Sequence, residues 1–150
     1  LRIVLQRVTK AHVAVAGETV AAIGPGLLLL VGVAAGDGDD DIALLADKIA
    51  TLRVFSDDRG LLNRSVTETG GEILAVSQFT LMASWRRGRR PSFSSAAPGP
   101  EANALFERFV ERLRGHRIAC FTGRFGAMMQ VELVNDGPVT IILDSREVSP

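Results

Sequence analysis

Nine consecutive residues, LLLLVGVAA from Leu27 to Ala35, carry no polar side chain. A bilayer-spanning helix needs about 20 such residues, so this run is too short to cross a membrane, and Gly32 interrupts it. It is satisfied as a strand covered on both faces. The rest of the chain must supply the covering layers, and Gly24, Pro25 and Gly26 punctuate the start of the run.

The flanking segments have the patterns such layers need. LRIVLQRV is β-branched and mixed in polarity, and HVAVAGETVAAI reads as two strands with a hairpin corner at Gly17-Glu18. Ile42, Leu45, Ile49 and Leu52 recur at three and four residues, which predicts a helix with one apolar face. Asp39, Asp40 and Asp41 fall at its N-terminus, where carboxylates complement the helix dipole; this accounts for the acidic run better than a metal site does. FSDDRGLLN, Phe55 to Asn63, has the chemistry of a loop. GGEILAVSQFTLM is the next strand, entered through Gly70-Gly71. Residues 82–100 form a long loop rich in Arg, Ser, Pro and Gly, and loops of that length in compact domains are usually functional or disordered. Pro100 then opens a second helix whose stripe is Leu105, Phe106, Phe109, Val110 and Leu113, with Gly115 as its stop. Two or three strands close the chain, split by GRFGA and NDGP. This order fits a single α/β domain over residues 1–150, with a largely antiparallel sheet and two main helices.

At 47% apolar and 23% charged residues the chain has an ordinary globular composition. The formal net charge is zero, so no global field advertises a nucleic-acid partner. The basic residues are nevertheless unusual: all but two are Arg, and WRRGRR, Trp85 to Arg90, holds four of them. A lone cysteine, Cys120 in RIACF, excludes an intramolecular disulfide and a multi-cysteine zinc site, and its apolar setting predicts a buried structural thiol. Arg2, Gln6 and Arg7 break the N-terminal apolar pattern that a secretion signal requires, so a cytoplasmic location is expected.

Three segments carry candidate chemistry. In SQFT, Ser77 to Thr80, a regular strand would point Ser77 and Phe79 one way and Gln78 and Thr80 the other. All four address one substrate only if the strand bends or ends here; otherwise the segment is a strand fraying into a loop. A hydroxyl nucleophile needs an adjacent base, yet the chain has only His12 and His116, neither in a recognisable motif, and no G-x-S-x-G elbow. GRFGAMMQV, Gly123 to Val131, reads equally as core packing at a bulge and as an adaptable apolar lining built on glycines, Phe125 and methionines. WRRGRRPSF reads equally as a solvated loop and as a phosphate-binding one in which Phe93 stacks on a base. No HExxH, paired histidines or cysteine cluster suggests a metal, and no cofactor is expected.

The fourth segment is VELVNDGPVTIILDS, Val131 to Ser145, in which two β-rich runs flank Asn135, Asp136, Gly137 and Pro138. Asn, Asp and Gly are turn residues, and the simplest reading is a turn between strands. The proline adds a constraint, because it fixes φ, removes an N–H and permits a cis peptide bond. Gly137-Pro138 therefore offers rigid backbone carbonyls with no glycine side chain in the way.

VSQFTL, GRRPSF, GRFGA followed by MQV, and LVNDGPVT, in this order and spacing, closely resemble the D-aminoacyl-tRNA deacylases. LQRVTKAHVAV, RVFSDDRGLLN and GGEILAVSQFTL extend the resemblance over nearly the whole chain. The resemblance implies a barrel-like core. It implies hydrolysis of the ester joining a D-amino acid to the 3′-terminal adenosine of tRNA, and of glycyl-tRNA, including glycine mischarged on tRNA-Ala. It implies a cytoplasmic homodimer in which a cis Gly-Pro pair, here Gly137-Pro138, reaches into the partner subunit's pocket and rejects L-amino acids. Ser77, Gln78, Phe79 and Thr80 become the pocket floor and the candidates for catalysis. Phe125, Gly126, Ala127 and Met129 would line the adenosine end, with Pro91, Ser92 and Phe93 nearby.

Overall fold

The computed structural model describes residues 1–147, and its organising element is the first strand. β1 (Arg2–Val15) pairs antiparallel with β2 (Glu18–Ile23) through its second half and with β3 (Gly26–Gly32) through its first. The β1–β2 corner is made by Ala16 and Gly17, at φ 50° and 81°, one residue earlier than Gly17-Glu18. Two successive positive φ values match the right-handed twist of a tight hairpin. β3 then pairs parallel with β6 (Glu72–Ser77), which pairs parallel with β7 (Cys120–Thr122). The sheet is thus mixed, antiparallel around β1 and parallel around β6. It curls until β2 lies against β6 and β7, giving a nearly closed barrel.

Parallel neighbours need crossovers, and these carry the helices. Between β3 and β6 run α1 (Asp39–Thr51), a small hairpin of β4 (Phe55–Ser56) and β5 (Leu62–Arg64), and the single turn α2 (Val66–Thr69). The segment expected to be a plain loop therefore contains two short paired strands. α3 (Gly99–Gly115) crosses from β6 to β7. Asp41 accepts a hydrogen bond from the Gly38 N–H at 2.8 Å, so the acidic run serves the start of α1. α1 and α3 bury their stripes against one face of the sheet, where Leu5, Leu29, Ile49, Phe109 and Leu113 are inaccessible to solvent. Val8, Val13, Leu28 and Leu74 fill the opposite face, inside the barrel. Within the Leu27–Ala35 run, Leu27–Gly32 forms the expected strand covered on both sides, whereas the chain leaves the strand at Val33 and Ala35 is exposed. Among the described residues, no helix is long and apolar enough to cross a membrane.

The NDGP segment is not a turn between strands. β8 (Gln130–Asp144) is one strand that runs antiparallel along β1 for its full length, with NDGP inside it. Between the pairs Gln6–Thr140 and Val8–Asn135, β1 advances two residues while β8 advances five. The excess of three residues is extruded as a large bulge of the irregular kind. Turn chemistry is local, whereas the ladder to β1 continues on both sides of the interruption and holds the two runs in line.

Candidate active site

β6 ends at Ser77 and the chain tightens at once into a 3₁₀ turn, Phe79–Met82. The strand alternation that would have separated Ser77 and Phe79 from Gln78 and Thr80 is thereby broken. All four line one open cavity of about 720 Å³. The 3₁₀ turn packs directly on β3, and the Gln78 N–H bonds the Val31 carbonyl at 2.8 Å.

The opposite wall comes from the segment between β7 and β8, where Phe125, Gly126, Ala127, Met128 and Met129 line the same cavity. Phe125 is held from behind by Phe106 of α3, with ring centroids 6.4 Å apart. Phe93 closes a third side and meets Phe79 edge-to-face at 5.0 Å. Pro91 and Ser92 stand just outside the lining: Ser92 exchanges backbone hydrogen bonds with Ser84 at 2.7 and 2.9 Å. Val33, Val76, Ala96, Ala97, Gly99, Ala102, Met128 and Val131 also line the cavity. Met128 and Val131 belong to the GRFGAMMQV segment whose sequence allowed an apolar lining; the others carry no motif, because small and aliphatic side chains have no chemical signature.

Among the described residues, none lining this cavity is titratable. His116 is engaged with Asp47 at 2.7 Å, and His12 lies beside Glu132 at 3.1 Å. Neither approaches Thr80 as a base, because neither lines the cavity. Cys120 is buried, and burial pushes its thiol up to about 12; it is the structural thiol its context suggested. Among the described residues no cluster of three His, Cys, Asp or Glu converges as a metal cage. The cavity instead has amide and hydroxyl groups. Gln78 Nε2 donates to Thr80 Oγ1, which leaves the Thr80 hydroxyl hydrogen free to donate elsewhere. The backbone N–H groups of Phe79 and Thr80 have no acceptor among the described residues.

Gly137 and Pro138 do not line the cavity of their own chain. They are exposed at the crest of the β8 bulge, joined by a cis peptide bond. The bulge is braced from below. Arg7 Nε donates to the Asp136 carbonyl at 3.1 Å and Arg7 Nη1 to the Val54 carbonyl at 2.9 Å. Asn135 Oδ1 accepts from the Val139 N–H at 3.2 Å, and its Nδ2 donates to Thr140 Oγ1 at 2.9 Å. Gly137 sits at φ +127°, and a Cβ there would come within 2.9 Å of Val139 Cγ2 and 3.1 Å of Arg7 Nη2. The position admits only glycine without local rearrangement.

The curled mixed sheet backed by two helices recurs in solved structures that place the chain among the deacylases of aminoacyl-tRNA. A solved structure described as a probable eukaryotic D-amino acid tRNA deacylase shares the fold, at TM-score 0.80 and 17% identity over 95% of this chain and 97% of that one. A second, of c-Myc DNA unwinding element binding protein, superposes at TM-score 0.90 with 41% identity, covering 100% of this chain and 99% of the other. Among curated proteins, the D-aminoacyl-tRNA deacylase of Syntrophotalea carbinolica is 59% identical over 99% of both chains. That of Roseiflexus sp. (strain RS-1) is 57% identical over 97% of this chain and 94% of its own. The model of the D-Tyr-tRNA(Tyr) deacylase family matches residues 4–144, and the chain belongs to that family.

Proposed function

We propose that this protein hydrolyses the ester between a D-amino acid, or glycine, and the 3′-terminal adenosine of tRNA, and that it spares L-aminoacyl esters. One observation carries the reading: Ser77–Thr80 and Phe125–Met129 converge on a single cavity that offers hydrogen-bond donors and apolar walls but no titratable group. An aminoacyl ester is already reactive, so orientation and stabilisation of the developing oxyanion suffice. Water attacks the carbonyl carbon, and the unpaired N–H groups of Phe79 and Thr80 hold the oxyanion. The C–O3′ bond breaks, and the water proton reaches the departing 3′ oxygen through the neighbouring ribose 2′-hydroxyl. Thr80, already an acceptor for Gln78, orients the ester by donating its own hydrogen. The adenosine lies along Phe125, Gly126, Ala127 and Met129, with Phe93 at the edge and Pro91 and Ser92 just beyond it.

Selection by handedness falls to Gly137 and Pro138, supplied by a second copy of the chain. The exposed apolar groups support that pairing: Phe79 is 57% exposed, Met128 89% and Ile142 66%. Val131, the second residue of β8, lies at the cavity rim and the bulge lies further along the strand, so a copy seated on this strand would bring its bulge towards the cavity. The partner's carbonyls would then face the substrate ammonium and α-carbon. A D side chain points outward, an L side chain meets backbone that the Arg7 brace keeps in place, and glycine has nothing to clash. Such a filter acts on every amino acid alike. The cytoplasm, where aminoacyl-tRNA is made and used, is the corresponding location.

The deciding experiment measures release of D-Tyr, D-Asp, Gly and L-Tyr from tRNA by purified protein with no added metal. D-amino acids and glycine are released, and L-Tyr is slower by about a thousandfold, a difference of about 4 kcal/mol in barrier. Comparable release of L-Tyr overturns the reading. A second reading, nucleic-acid binding without turnover, has one observation in its favour: the 41% identical structure named for binding a DNA unwinding element. It predicts salt-sensitive binding with no amino acid released.

A further inference from the structure

The cavity explains how a terminal aminoacyl-adenosine is held, but not how the protein grips the RNA that carries it. The segment from Ser84 to Ser92, WRRGRRP enclosed by two serines, stands out on three counts. It is a closed hairpin rather than a slack loop: Ser84 and Ser92 exchange backbone hydrogen bonds, and Gly88 at φ +69° lies at its far end. Both its stems start from the cavity wall, one leaving the 3₁₀ turn that holds Thr80, the other running straight into Phe93. Its charge is uncompensated. Residues 73–100 contain no carboxylate, although the chain as a whole has equal numbers of acids and bases.

Of the eleven other arginines, Arg53, Arg59, Arg64, Arg117 and Arg124 also make no ion pair among the described residues, but they are scattered along the chain, and the other six are paired. Arg2, Arg7, Arg108, Arg112, Arg114 and Arg146 each face a carboxylate at 2.7–3.4 Å. Arg86, Arg87, Arg89 and Arg90 face none among the described residues, and all four are exposed. Trp85, the only tryptophan of the chain, lies at the hairpin's base, 72% exposed, with the Arg86 guanidinium 5.4 Å from its ring centroid. A solvated charge run needs no exposed indole. An exposed aromatic among unpaired arginines is the surface that RNA recognises, with phosphates on guanidinium groups and a base on the ring.

We propose that the Ser84–Ser92 hairpin binds the sugar-phosphate backbone of the RNA leading to the 3′ end held in the cavity, with Arg86, Arg87, Arg89 and Arg90 on phosphates and Trp85 against a base or sugar. The inference rests on the reading that the cavity takes a 3′-terminal adenosine. It assigns to the hairpin a separate share of the affinity, sensitive to salt and indifferent to the handedness of the amino acid.

The test uses uncharged RNA, so that it is decided whether or not hydrolysis is ever seen. An acceptor-type RNA hairpin ending in CCA, the same hairpin without CCA, and a CCA oligonucleotide are titrated into the full-length protein at several salt concentrations. Binding is followed by Trp85 fluorescence and by RNA anisotropy. In the wild type the CCA-bearing hairpin quenches Trp85, and log Kd rises steeply with log salt. Replacing the four arginines by alanine weakens binding ten- to a hundredfold and flattens the salt slope by about 3, since each phosphate contact contributes about 0.7–0.9. Replacing them by lysine preserves most of the slope. Both variants keep the wild-type melting temperature, because the side chains are exposed. Weakening confined to RNAs with the paired stem places the arginines on the stem; weakening with CCA alone places them on the tail. Unchanged affinity and slope in the alanine variant for all three RNAs, or an unquenched Trp85 in the wild type, overturns the proposal. Absence of D-aminoacyl ester hydrolysis with the binding pattern intact would instead count against the proposed function.

Discussion

Gly32, the last residue of β3, lies in contact with Leu81 in the 3₁₀ turn: a Cβ at Gly32 would stand 2.9 Å from Leu81 Cβ, 2.9 Å from Met82 Cε and 3.1 Å from the Gln78 carbonyl oxygen. The absence of a side chain is what lets the turn carrying Phe79 and Thr80 seat on the sheet. Gly32→Ala is expected to push that turn outward, because a methyl 2.9 Å from Leu81 Cβ leaves the turn no way to stay seated. Misplacement of oriented groups costs far more rate than stability. We expect kcat on D-aminoacyl-tRNA to fall at least tenfold while the melting temperature drops by only a few degrees. A loss of stability with normal activity in the remaining folded protein would show that the turn tolerates the shift.

Gly137→Ala addresses the crest of the β8 bulge. The added methyl meets Val139 and Arg7 within its own chain, and φ there is one that L-residues rarely adopt. The bulge must rearrange, while the β1–β8 ladder on either side remains. Activity on D-substrates should fall by a factor of ten or more with little change in far-UV circular dichroism. Unaltered rates for D- and L-substrates would remove Gly137 from the proposed selection by handedness.

A cavity without titratable lining predicts a simple response to pH. Thr80→Ala should reduce kcat by about ten- to a hundredfold, the size of a lost positioning hydrogen bond and less than that of a lost nucleophile. The profile of log kcat against pH for the wild type should show no inflection near 6 to 7 from an enzyme histidine. Loss of the D-substrate reaction below such an inflection, or a covalent acyl group trapped on Thr80, would contradict this mechanism.

Asp47 makes an electrostatic clasp between the helices. Arg112 of α3, and then His116 beyond its end, hold the Asp47 carboxyl well below the usual carboxylate range. A group whose pKa is depressed on folding stabilises the fold above its ordinary value, about 4, and loses that contribution as pH falls towards its folded value. Asp47→Asn should therefore lower the melting temperature slightly at pH 7, and the gap to wild type should narrow by pH 3. The pair is exposed, so the effect is small and fades with added salt. An equal gap at both pH values would mean that Asp47 acts through packing.

Much of this arrangement is legible in the residues. The apolar run at Leu27 demanded a doubly covered strand, and the stripes of α1 and α3 appear where their three- and four-residue spacing puts them. SQFT required a break in the strand before its four side chains could act together, and the 3₁₀ turn is that break. The continuity of β8 was hidden, because Asn-Asp-Gly-Pro has every local mark of a turn, and only pairing with β1, more than a hundred residues away in sequence, carries the strand past it. The alanines of the cavity wall were hidden for the opposite reason: Ala96, Ala97 and Ala102 contribute space, and space has no motif.

The long shared edge of β1 and β8 has a last consequence. Val131 at the cavity rim and Gly137 at the crest are six residues apart on one strand, roughly 20 Å at strand rise. That edge, on the proposed pairing, works as a ruler, keeping the bulge of a molecule away from its own cavity and setting how a second copy sits. On the proposed pairing, a mixture of subunits broken at Gly137 with subunits broken at Thr80 should recover working centres that neither parent possesses, one in each hybrid.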